Sequence, residues 1–171
     1  AAGLALDAVE AAGHGHPGTA VALAPVAQLL FAHHLRHDPK DPLWRGRDRF
    51  ILSCGHASML LYAQLHLSGY ELSLQDIQQF RKTDSLTPGH PEYGHTPGVE
   101  MTTGPLGQGL ATSVGMAWAQ LNLAARFDPK APNSPLHSHV YVIASDGDLQ
   151  EGVTSEAASF AGLHAISNLT V

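Results

Sequence analysis

Apolar residues recur every three to four positions over 1–12 and the run stops at Gly13, a pattern that predicts a helix with a glycine stop. The same periodicity over 19–34 predicts a second helix, with Thr19 at its N-cap. Between 37 and 48, Pro39, Pro42 and Gly46 read as loop. Residues 49–53 (RFILS) form a short apolar run between turn signals, which fits a buried strand. Cys54-Gly55-His56 turns the chain, and helical periodicity resumes over 57–67. A further helix is predicted over 73–82, where Ser73 and Asp76 have the spacing of a capping box.

The 27 residues from 83 to 109 are dense in Pro and Gly, and a loop of that length inside a compact domain usually carries function. A long helix follows over 106–126, with Leu106, Leu110, Val114, Ala117, Leu121 and Ala125 on one stripe. Gly115 lies in its middle, at a cost of about 1 kcal/mol against Ala, which close helix packing would explain. Residues 139–144 (HVYVIA) are the clearest strand, 150–163 are helical, and another strand begins at Leu169. Strands separated by helices predict an α/β fold, a parallel sheet flanked by helices, whose ligands sit beyond the carboxyl ends of the strands. Two such ends carry polar groups here, for RFILS runs into His56 and HVYVIAS runs into Asp146.

A length of 171 residues suits one domain. The chain opens inside a helical pattern and closes where a strand begins, so both ends read as cuts in a longer protein. Nine Lys and Arg against fifteen Asp and Glu give a charge of -6, and the one basic cluster (Arg36, Lys40, Arg45, Arg47, Arg49) is broken by Asp38, Asp41 and Asp48. Nucleic acid is therefore not the expected partner. The most apolar stretch, 19–32, is too short to span a bilayer and has no charged segment ahead of it, so no membrane partner is expected either. A lone cysteine, Cys54, rules out an intramolecular disulfide and CxxC motifs. A cytoplasmic location is the expectation.

Three segments point to chemistry. In 145–152 (SDGDLQEG), a carboxylate just past a buried strand, followed by Gly, suits a hard cation bridging to phosphate oxygens. The plain alternative is an Asp-Gly turn with Asp148 as a helix N-cap. In 102–109 (TTGPLGQG), three glycines before a helix expose backbone N–H groups to an anionic or planar ligand, though a purely structural turn reads the same way. It is neither a Rossmann fingerprint nor a P-loop. Among the 12 histidines, His16, His56 and His90 lie in loops between Gly or Pro and read as ligand contacts. His33, His34 and His37 close a helix, His66 and His164 are ordinary helix residues, and His137 and His139 read as solvated. A zinc site built on His33 with His37, or on His137 with His139, is the competing use of the histidines.

Taken together, GHGHPG, ILSCGHASM, TPGHPEYGHTPGVE, TTGPLGQG and SDGDLQEG occur in the order and spacing of the transketolase family across nearly the whole chain. The sequence resembles its N-terminal diphosphate-binding domain, and Ser145, where many members have Gly, resembles an actinobacterial type. On that resemblance residues 1–171 are part of that domain, with the middle and C-terminal domains outside the chain. The implied cofactors are thiamine diphosphate and Mg²⁺ (or Ca²⁺ or Mn²⁺). The implied reaction moves a two-carbon ketol unit from a ketose phosphate such as xylulose 5-phosphate to an aldose phosphate such as ribose 5-phosphate or erythrose 4-phosphate, within the pentose phosphate pathway.

The resemblance also implies roles for matched positions. Asp146 is expected to ligate the cation, Gly147 to lie against the diphosphate, and His56 to donate to it. Gly104, Pro105 and Leu106 are expected to line the thiazolium and aminopyrimidine, and His16 and His90 to contact the sugar, with His16 aiding proton transfer. Glu151 and Glu156 are expected at the interface of a homodimer, Glu151 with a catalytic part. The family's second metal ligand, an Asn about 30 residues past the Asp, falls beyond Val171, and Asn168 is too close to be it. The chain by itself is thus expected to be inactive. A dihydroxyacetone synthase or phosphoketolase would use the same cofactor, and a non-catalytic subunit would not need Asp146, His56, His90 and Glu151 together.

Overall fold

The computed structural model describes residues 1–130 and 134–171. Helix α1 (Ala2–Ala12) ends at Gly13, whose φ of 76° lets its N–H return to Glu10 and Val9. Helix α2 (Pro17–Leu29) starts earlier than predicted, with His16 rather than Thr19 at its N-cap. Pro17 takes the first helical position, where no N–H is needed and its fixed φ is already helical. One wide π turn, Leu30–His34, then closes the run.

Strand β1 (Arg49–Leu52) leads through a tight turn, Gly55–Ala57, into helix α3 (Ser58–Ser68). Helix α4 (Leu74–Gln78) has the reciprocal Ser73–Asp76 capping box but is shorter than the sequence implied. The chain leaves the helix because Arg81 and Asp84 both take positive φ, 64° and 59°, and the Arg81 N–H bonds Thr87 instead of a helical carbonyl. After the long connection come helix α5 (Gln108–Phe127) and strand β2 (Val140–Ile143). The predicted 150–163 helix is two pieces, α6 (Asp146–Gln150) and α7 (Gly152–Leu163), because Glu151 is extended between them. Strand β3 (Leu169–Thr170) follows.

Among the described residues the three strands form a parallel sheet in the order β1-β2-β3, with Leu52 opposite Ile143 and Val140 opposite Leu169. The strand period of two divides the core. Phe50, Leu52 and Ile143 face a cluster with α1, α2 and α3 that includes Ala5, Ala20, Phe31, Leu60 and Tyr62. Ile51, Val140 and Val142 face the opposite side, against Leu110, Val114 and Ala117 of α5, with Phe160 of α7 packed alongside. Helices thus cover both faces of the sheet, the α/β arrangement that the alternation of strands and helices predicted.

Three ties hold the long connection to this frame. Tyr62 donates its hydroxyl to the Pro88 carbonyl at 2.9 Å, Ser58 donates to Gly89 at 2.9 Å, and Arg47 forks onto Glu100 at 2.7 and 2.9 Å, with both partners largely buried. Two further sequence expectations fail. A Cβ on Gly115 would meet nothing within 4 Å, so close packing does not explain that glycine. His139 is half-buried rather than solvated, packed on Tyr141 at 4.6 Å and bonded to the Thr170 hydroxyl at 2.8 Å.

Candidate functional site

Parallel pairing sends the carboxyl ends of β1 and β2 out of the same edge of the sheet. The Ser53 N–H bonds the Ile143 carbonyl at 2.9 Å, so the register holds to the last strand residue. From that edge the chain reaches His56 on one side and Asp146 on the other. Asp146 is exposed at the first position of α6, and its charge, with that of Asp148, acts to raise the His56 pKa. The two groups that the sequence singled out at strand ends therefore share one neighbourhood.

His16 joins them from the start of α2. Its ring meets that of His56 edge to face, with centroids 5.1 Å apart. Burial first, and then the charge that His16 would carry, hold the half-buried His56 below its ordinary pKa of 6.5. His90 is also held below the ordinary value, by burial, then Arg81, then His16 and His56. His56 and His90 are thus both held toward their neutral forms.

The glycine-rich segment closes the group. Gly104 has φ of 150°, and a Cβ there would stand 3.2 Å from the His90 ring. Gly107 has φ of 78°, and a side chain there would strike Thr154, Glu151 and Val153 within 2.9 Å. The Thr103 N–H bonds the Pro91 carbonyl at 3.2 Å, which fixes the His90 loop against this turn. A Cβ on Gly147 would lie 3.3 Å from the Leu106 side chain, so the 104–106 turn packs directly against 146–147. Pro105 and Leu106 are exposed there.

Not every expected residue joins the cluster. Glu151 lies in the bend between α6 and α7, close to Gly107, and its carboxylate is exposed. Glu156 is exposed on α7. Among the described residues no hydrogen bond or ion pair links either to the three imidazoles.

Asp148 is the residue that sequence reasoning misjudged. Ser145, not Asp148, is the N-cap of α6, and Asp148 is the third helical residue of a reciprocal capping box. Its carboxylate is wholly buried. It accepts from the Ser53 hydroxyl at 2.9 Å and the Gly107 N–H at 2.8 Å on one oxygen, and from the Ser145 N–H at 2.9 Å on the other. Burial pushes its pKa up, but these bonds outweigh that, and the net shift is downward. Ser145-x-x-Asp148 is a capping-box spacing, so the local half of this arrangement was readable.

The donor set fits a diphosphate-bound hard cation. Among the described residues no three His, Cys, Asp or Glu side chains gather into a metal cage. One accessible carboxylate beside exposed turn backbone is what Mg²⁺ needs when phosphate oxygens and water complete its shell. The zinc arrangement fares worse. His37 is bonded to the Tyr70 hydroxyl and the Phe31 carbonyl, and His137 and His139 are bonded to Asp128 and Thr170. Asn168 donates to the Ala117 and Ser138 carbonyls, a structural use. Among the described residues no helix is long and apolar enough to cross a membrane.

Comparison with known proteins agrees with this geometry. The family model described as "Transketolase, thiamine diphosphate binding domain" matches residues 2–171. A transketolase of Mycobacterium leprae is 59% identical over 170 residues, covering 98% of this chain and 24% of the relative. A crystal structure of a transketolase mutant from Pichia stipitis superposes with a TM-score of 0.92 at 51% identity, covering 97% of this chain and 24% of that one. A Pichia stipitis transketolase solved with sedoheptulose 7-phosphate gives 0.85 at 48% identity, with the same coverage. The chain spans about a quarter of the length of the curated relatives it matches.

Proposed function

The chain belongs to the transketolase family, as its thiamine diphosphate-binding domain, and on that premise we propose that the protein carrying it is a transketolase that moves a two-carbon ketol unit between sugar phosphates. The observations that carry the proposal are the contact of His16 with His56 and the packing of the 104–106 turn against both Gly55 and Gly147, the neighbours of His56 and Asp146. Thiamine diphosphate, when bound, supplies the carbon nucleophile and the electron sink for breaking the bond between sugar carbons two and three.

The chain's own groups bind and orient. Asp146 holds the divalent cation, Mg²⁺ or its substitutes Ca²⁺ and Mn²⁺, through a carboxylate oxygen. His56, kept neutral by burial and by His16, donates an N–H toward the diphosphate without adding a second cation to the site. Gly147 leaves room for close approach, and Gly104, Pro105 and Leu106 form the wall for the cofactor rings. His16 and His90 address the sugar hydroxyls and carbonyl. At His90, held toward its neutral form, one nitrogen can accept a proton while the other donates. As the family resemblance implies, Glu151 and Glu156, exposed in this chain, face a second subunit of a homodimer.

The test uses the full-length protein with xylulose 5-phosphate and ribose 5-phosphate. Transfer should vanish after chelation and dialysis and return only when thiamine diphosphate and Mg²⁺ are both restored. Activity that survives removal of the cofactor would overturn the proposal.

A further inference from the structure

We propose, on the reading above, that Asp148 is a positioning residue whose buried carboxylate sets the spacing between the two halves of the cofactor site. Being fully buried, it cannot touch cofactor or sugar itself. Its reach is through the backbone. One oxygen takes the Gly107 N–H, immediately after 104–106, and the other takes the Ser145 N–H, immediately before Asp146 and Gly147. The two packed segments are therefore bonded to opposite oxygens of a single rigid group.

A third segment is tied in. Ser53, at the end of β1, donates its hydroxyl to the Gly107-bonded oxygen and accepts the Leu110 N–H at 3.0 Å. The first turn of α5 is thereby linked to the same carboxylate. Packing leaves no slack, because a Cβ on Gly109 would fall 2.6 Å from the Ser53 Cα. Asp146 and Gly147 lie between the two members of the capping box, so their backbone is pinned on both sides.

Charge and symmetry make the aspartate hard to replace. An asparagine has one acceptor oxygen, so in either orientation it presents an NH₂ to one of two backbone N–H groups that need an acceptor. The orphaned donor must move, and the contact between 104–106 and 146–147 shifts with it.

The experiment is calorimetric titration of the full-length protein with thiamine diphosphate at saturating Mg²⁺, for wild type, Asp148→Asn and Ser53→Ala, with melting temperatures and sugar KM at saturating cofactor. Asp148→Asn should weaken cofactor binding roughly tenfold or more, and Ser53→Ala, which removes one bond to the carboxylate, roughly threefold. Sugar KM should change less than cofactor affinity, since among the described residues the Asp148 carboxylate makes no bond to the segments that carry His16 and His90. A lowered melting temperature with unchanged cofactor affinity would make Asp148 merely structural and overturn the inference. If Asp148→Asn does not fold, Ser53→Ala decides by the same criterion. Wild-type protein that fails to bind thiamine diphosphate with Mg²⁺ would instead strike down the functional reading itself.

Discussion

His16 and His56 stand edge to face, 5.1 Å between ring centroids, although 40 residues of chain separate them. Burial disfavours a proton on His56, and a charged His16 at this distance adds to the penalty. His90 adds a third member to the same set. By NMR titration, His56 and His90 should both titrate below the ordinary 6.5. Replacing His16 by Ala should move the His56 midpoint upward. No movement would mean that burial alone sets it.

The same coupling fixes how acid acts on stability. A histidine held low in the folded chain binds its proton more readily once the chain is unfolded. Above pH 6.5 neither state carries the proton and the contribution vanishes; below it the unfolded state gains, and stability falls until the folded-state midpoints are passed. Urea midpoints measured between pH 8 and pH 5 should decline toward acid. In a His56→Gln, His90→Gln double variant the decline should be shallower.

Asp146→Ala in the full-length protein should abolish Mg²⁺-dependent binding of thiamine diphosphate, because the neighbouring carboxylate, Asp148, is buried and already satisfied by its own donors. His90→Ala should lower sugar turnover far more than cofactor affinity. Unaltered cofactor titration in the first variant, or matched losses in the second, would count against the assigned roles.

Gly115 is exposed in the middle of α5 with open space where a Cβ would go. Gly115→Ala should therefore stabilise this chain by about 1 kcal/mol through helix propensity alone, read as a higher urea midpoint. In contrast, Leu52→Ala removes a fully buried strand side chain and should cost about 2–5 kcal/mol.

Cys54 is wholly buried at the end of β1, and burial, then the Asp148 carboxylate, pushes its thiol up to about 12. Reaction with a thiol reagent at pH 8 should be roughly a thousandfold slower in the folded chain than after denaturation, on thiolate content alone. Rapid labelling of native protein would show that the β1 end opens often.

Most of the architecture was legible because its cues are local. RFILS and HVYVIA announce strands by β-branched and aromatic content, and their parallel pairing follows from the helices between them. His56 and Asp146 could be picked out because each follows a strand directly. Cues failed where tertiary bonds outrank propensity. Helix α4 stops early because Arg81 turns to Thr87, and the 150–163 helix breaks at an extended Glu151. Half of the Asp148 arrangement, the Ser145 cap, has a sequence spacing. Its bonds to Ser53 and Gly107 cross 95 and 41 residues, and no pattern along the chain announces a partner that distant.

The connection from α4 to α5 contains no strand and almost no helix, yet it is tethered by Tyr62, Ser58 and Arg47 along its length. Ordering so long a segment only when a sugar arrived would spend conformational entropy at every turnover. Here that entropy is already lost when the chain folds, so the His90 loop is set before anything binds, and proteases should find few open bonds in a stretch whose composition alone would mark it as easy to cut.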